Sequence, residues 1–146
     1  MQRRTRWMML VLIMAALPLA GCARKAAGAT TEKPAVVEEI AGSEFKRVTL
    51  TEKAAQRLDI QTAPVREEQV DGARRWVVPY AAVIYGLHGE TWAYTNPERL
   101  VFVRHTLDVE RIEGDLAILL AGPPVGTAVV TVGGAELFGA ETGVSK

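Results

Sequence analysis

Apolar and polar positions change rhythm several times along this 146-residue chain, and each change marks an element. Behind Arg3, Arg4 and Arg6, the run from Trp7 to Ala20 is apolar over about 14 residues. A bilayer-spanning helix takes roughly 20, so the run suits the hydrophobic region of a secretory signal better than a membrane span. Residues 22–43 are small, polar and charged, with Gly28, Pro34 and Gly42, which is the composition of a flexible tether. From Phe45 to Leu50 the pattern alternates like a strand. Thr51 then stands where a cap for a helix over Glu52–Leu58 is expected, with Glu52 in the first turn and Ala54, Ala55 and Leu58 on one face. Ile60 to Val65 is extended again, with Pro64 placing it at a sheet edge. Residues 66–75 are polar and carry the turn pair Asp71-Gly72.

The second half reads as strands. Trp76–Pro79 and Ala81–Tyr85 are apolar strand segments separated from Glu90–Thr95 by a turn at Gly86–Gly89, and Asn96-Pro97-Glu98 breaks the pattern. Leu100–Ile112 alternates over the longest stretch, with Val101, Val103, His105, Leu107, Val109 and Arg111 on the face expected to be apolar and Arg104 on the polar one. Its length predicts a bulge or bend midway. Glu113-Gly114-Asp115 turns into Leu116–Ala121, and Thr127–Val132 comes after the stiff Gly122-Pro123-Pro124 loop. Ala135–Phe138, bracketed by Gly133-Gly134 and Gly139, has room for one helical turn. About five to seven short strands with regular turns predict an all-β, mainly antiparallel domain over 44–146, a small barrel or sandwich, with one short helix near 52–58.

Composition sharpens the address. Leu19-Ala20-Gly21-Cys22 fills all four positions of a pattern that resembles the bacterial lipobox, in which the cysteine is acylated and becomes the mature N-terminus. Residues 1–21 then form a lipoprotein signal peptide, and Cys22 is the lipid-attachment residue. Cleavage leaves 125 residues, enough for one modest core. Removing the three arginines of the signal leaves 14 Lys+Arg against 17 Asp+Glu, a net of −3, so no basic patch points to nucleic acid. Cys22 is the only cysteine, which leaves no partner for a disulfide within the chain.

Catalytic material is sparse. The serines of the mature chain are Ser43 and Ser145, one in the tether and one at the tail. His88 and His105 lie 17 positions apart, without the spacing of a zinc motif. His105 reads as a core or rim histidine with a local partner, and His88 as a solvated turn residue. Glu38-Glu39, Glu67-Glu68 and Glu110 read as solvated surface. Trp76, Trp92, Tyr80, Tyr85 and Tyr94 read as core and rim aromatics. No catalytic, metal or cofactor residue is assigned.

Two stretches carry a resemblance. Val48 to Val65 resembles the opening of many periplasmic adaptor (membrane fusion) proteins of resistance-nodulation-division efflux pumps. Val78–Tyr85, Thr91–Tyr94, Val101–Val109, Glu113–Asp115 and Gly126–Gly139 resemble the end of the same proteins, with Val130-Thr131-Val132-Gly133-Gly134-Ala135-Glu136-Leu137 as the most specific piece. Those adaptors place a lipoyl-like domain, a long helical hairpin and a β-barrel between the two regions; here the ten residues 66–75 join them. The resemblance implies the adaptor membrane-proximal domain alone, a β-barrel or β-roll, lipid-anchored and facing the periplasm on the inner or outer membrane. It implies membrane lipid, through Cys22, and an efflux pump or full-length adaptor as partners. Some adaptors of the copper/silver branch bind metal through methionines. All four methionines here lie at or before Met14, so that activity does not carry over. The functions to weigh are a non-enzymatic transport accessory, a small ligand- or metal-binding lipoprotein using His88 or His105, and a truncated adaptor remnant.

Overall fold

Thr51 caps the first helix as its position predicts. In the computed structural model, which describes residues 33–143, its backbone is extended and its Oγ1 accepts a hydrogen bond from the Ala54 N–H at 3.2 Å. That satisfies one of the donors a helix start leaves free. Before it lie strands β1 (Ala35–Glu39) and β2 (Lys46–Leu50), and after it α1 (Glu52–Arg57) and β3 (Gln61–Pro64). Strand β1 corrects the expected tether: Ala35 to Glu39 pairs antiparallel with β2 from Leu50 back to Lys46. Small and charged side chains disguise it, yet β1 only has to line the rim of the sheet. Pro64 ends β3 at the edge of the sheet, opposite Ala128, where a missing N–H costs little.

The polar joint 66–75 folds as a hairpin. Strands β4 (Arg66–Val70) and β5 (Ala73–Pro79) pair across Asp71 and Gly72, whose φ values of 50° and 77° are both left-handed, as a two-residue turn matched to strand twist requires. The expected strand at Ala81–Tyr85 divides: its first two residues belong to a 3-10 turn, Tyr80–Ala82, and its last two form β6 (Ile84–Tyr85). Strand β7 (Thr91–Glu98) runs through the expected break at Asn96-Pro97-Glu98. The ladder bulges there, leaving Pro97 at an unpaired position, while Asn96 Nδ2 donates to the carbonyls of Glu98 and Val101.

The long strand β8 (Val101–Glu113) leads into β9 (Leu116–Ala121), β10 (Ala128–Val132) and a helix α2 (Gly134–Thr142). The strands form one antiparallel sheet in the order β3-β10-β7-β8-β9-β5-β4, with β1 and β2 added beside β8 and β6 beside β7; it curls into half a barrel. Both faces of its centre are buried. On one, Val78, Ala93, Leu107, Leu119 and Val129 form a core; on the other, Val48, Leu50, Tyr94, Phe102, Val130 and Leu137 form a second, closed by α1 and α2. Helix α2 corrects the single-turn expectation. It spans nine residues and is bounded by Gly133 and Gly143, both with positive φ.

Replacing Thr51 with Ala is expected to lower stability by about 1 kcal/mol, and Thr51→Ser to recover most of it, read from urea unfolding midpoints at unchanged slope.

Candidate functional site

Cys22 and the first part of the expected tether lie outside the described residues. The two histidines do not meet a metal-binding set: among the described residues, no three His, Cys, Asp or Glu side chains are grouped to hold an ion. His88 occupies the turn after β6, and its N–H donates to Glu90 Oε2 at 2.9 Å. His105 is exposed, with Nδ1 2.9 Å from the carbonyl of Thr106. It pairs with Ala93 of β7, and its exposed side chain stands at the rim of the sheet. No described helix is long and apolar enough to cross a membrane.

The exposed feature with the most built character is a groove along the outer half of β8. One wall is Thr106–Ile112; the other is Tyr85, Gly89, Glu90 and Thr91, and together they enclose about 460 Å³. Its walls result from strand length. Strand β7 begins at Thr91, opposite Leu107, whereas β8 continues to Glu113. The turn that leads into β7 is held by the Gly86 N–H on the Glu90 carbonyl at 2.8 Å, together with the His88 bond to the Glu90 side chain. Gly86 has no room for a side chain there, since a Cβ would meet Glu90 and Trp92 at 2.5 Å. Tyr85 and Ile112 give the groove exposed apolar surface. Glu110 pairs with Arg75 at 3.2 Å and with Arg111 at 3.1 Å, and Arg111 also reaches Asp71 and Glu113. Asp108 and Glu90 form no ion pair among the described residues, so the groove keeps two uncompensated carboxylates.

Beneath α2 lies a polar cluster that the alternation of β8 hides. Glu141, in the last turn of α2, is 5% exposed. A carboxylate there meets both desolvation and the unfavourable end of the helix dipole. Arg104 answers both with a fork: Nε to Oε2 and Nη2 to Oε1, each 2.9 Å. The Lys46 N–H donates to Oε1 at 3.2 Å, and the Tyr94 hydroxyl donates to Oε2. The guanidinium also lies 4.7 Å from the Phe45 and Trp92 ring centres and 5.3 Å from that of Phe138, which stacks on Trp92. With its oxygens filled by donors, Glu141 fastens a helix to a sheet. Arg104, expected on a polar face, belongs to the second core because α2 covers that face.

Burial first, and then the bond to Glu141, hold the Tyr94 hydroxyl well above its ordinary pKa of 10.0. Its stabilising contribution is therefore complete below pH 10, and declines as pH rises above 10, where the unfolded chain ionises this tyrosine and the folded chain does not. Tyr94→Phe is expected to lose about 1.5–3 kcal/mol at pH 7, the worth of a hydrogen bond to a charged group, and to show a shallower further loss above pH 10 than the parent chain. Glu141→Ala and Arg104→Ala should each cost about 3–5 kcal/mol in urea unfolding, with the double change costing clearly less than the sum.

No protein-family model and no curated protein matches this chain. Among solved structures, it is similar to the NMR structure of a 180-residue portion of SilB from Cupriavidus metallidurans CH34, which holds that protein's N-terminal metal-binding site and membrane-proximal domain. Identity is 23%, the TM-score is 0.45, and the match covers 64% of this chain and 53% of the SilB portion, so this chain spans about half of it.

Proposed function

We propose that this chain is a lipid-anchored, non-enzymatic adaptor-type module of the bacterial cell envelope, a transport accessory that holds a small β domain beside an efflux pump or a full-length adaptor. The observation that carries this reading is how the two adaptor-like stretches meet. Residues 48–65 are far in sequence from the closing stretches 101–109 and 126–139, yet β2 pairs with β8, β3 pairs with β10, and Leu137 of α2 packs with Val48 and Leu50. The adaptor-like opening and closing stretches thus share one core, and the β4–β5 hairpin joins them in ten residues. That supports a self-sufficient membrane-proximal module with a short joint where the duct-building domains of adaptors are placed.

The anchor sets the geometry in this reading. With β1 ordered from Ala35, the stretch from Cys22 to Ala35 reaches at most roughly 45 Å when fully extended. An acylated Cys22 carrying two or more chains would hold the domain stably within that distance of the bilayer and raise its local concentration near a membrane-embedded partner.

Two measurements test the reading. Cys22→Ser is expected to move the protein from the membrane fraction to the soluble fraction, or to block its processing; unchanged membrane attachment contradicts the anchor. The tagged parent chain, solubilised gently from membranes, is expected to co-purify with an inner-membrane pump or its adaptor. Failure to do so at good expression contradicts the partner.

A further inference from the structure

The two edges of β8 are used unequally. One edge pairs first with β2, over Val101–Val103, and then with β9, over Asp108–Glu113. The other edge pairs with β7, and only as far as Leu107. Beyond that point no described strand lies along it, so the backbone of Asp108–Ile112 borders the groove. Alternate residues of an antiparallel strand turn their N–H and C=O to opposite edges, so roughly half of this five-residue stretch offers donors and acceptors to the groove. Two register shifts, at Asp108/Val109 and Val109/Arg111, fall in the same stretch and increase its twist away from the line of β7. The fixed turn at Gly86–Glu90 keeps β7 from extending into the space. The sheet therefore has a slot about one short strand long, roughly 16 Å at the usual strand rise.

We propose that this slot takes an extended segment of a partner protein as an added strand against β8, and that the segment alternates basic and apolar side chains. The backbone edge supplies hydrogen bonds that do not depend on sequence, and the walls supply preference. The carboxylates of Glu90 and Asp108 call for lysine or arginine, because Glu110 is already neutralised by Arg75 and Arg111. Tyr85, 54% exposed, is in register through Thr91 with Leu107, one residue from Asp108, and offers apolar surface for the residues between the charges; Ile112, 38% exposed, adds apolar surface at the far end of the slot. A second copy of this chain fits less well: its own edge strands β1 and β3 carry no arginine or lysine, and β4 carries Arg66 followed by two glutamates. The proposal deepens the adaptor reading and rests on it only for the partner's identity, a pump or full-length adaptor.

The test uses the full chain and three labelled peptides: Lys-Val-Lys-Val-Lys-Val-Lys, the same peptide with alternate backbone nitrogens methylated, and its Glu-for-Lys counterpart. Saturable binding of the first is expected, at least about tenfold tighter than either of the others, with slowed hydrogen exchange over Asp108–Ile112. Asp108→Lys, an exposed change outside both cores, should weaken the basic peptide by about tenfold or more and narrow its advantage over the acidic one. Equal binding of the methylated peptide overturns strand addition, and absence of saturable binding by all three overturns the slot. Self-association of the parent chain that Asp108→Lys abolishes, without peptide binding, assigns the slot to a second copy and overturns the proposal. Peptide binding together with failed co-purification leaves the slot standing and removes the adaptor reading; the reverse pair of results removes the slot alone.

Discussion

A single buried ion pair holds the second core closed. Arg104 from the middle of β8 grips Glu141 from the last turn of α2, with Tyr94 and the backbone of Lys46 filling the carboxylate and three aromatic rings around the guanidinium. Helix α2 is nine residues long and begins on Gly134 with Gly139 inside it, so its own helix propensity is poor. Its stability comes from tertiary contacts: Leu137 enters the core and Glu141, four residues later on the same face, is fastened to the sheet. Replacing that pair by apolar side chains could serve stability as well. What the fork adds is position, since two parallel hydrogen bonds fix one rotation and one translation of the helix over β7 and β8.

That fixed helix lets the two separated stretches act as one unit. Strands β2 and β3 come from the first stretch, and β10 and α2 from the last; they meet on the same face as Tyr94 and Phe102. The opposite face is built from β5, β7, β8, β9 and β10 and needs none of α2. The long β8 serves both cores, its even positions Phe102 and Arg104 turned to the helix side and its odd positions Leu107 and Val109 to the other. The groove is a by-product of that double duty. A strand long enough to reach both cores outruns its neighbour β7 and exposes one edge.

Much of this fold is legible in local pattern. The cap at Thr51, the edge role of Pro64, the Asp71-Gly72 turn and strands β2, β9 and β10 obey rules that act over a few residues, and these govern here. The elements that local pattern hides share a cause: their signal lies in tertiary context. Strand β1 and the polar strand β4 have little alternation because they line edges. Helix α2 is hidden by glycines whose cost is met by packing, and with α2 hidden, the face of β8 bearing Arg104 reads as solvent-facing. His105 keeps the apolar alternation and is nonetheless exposed, since neither core reaches its position. The groove has one readable sign, the mismatch between a 13-residue strand and its eight-residue neighbour.

The proposed docking of this domain against an efflux component can be read out by placing a photo-crosslinking amino acid at Tyr85 in the full chain in cells and identifying what it captures in membranes. Peptides from a pump or a full-length adaptor, captured from position 85 and lost when the same crosslinker is moved to the exposed hairpin turn at Asp71, are the predicted result. Efficient crosslinking that yields no transport protein, or equal capture from both positions, would contradict it.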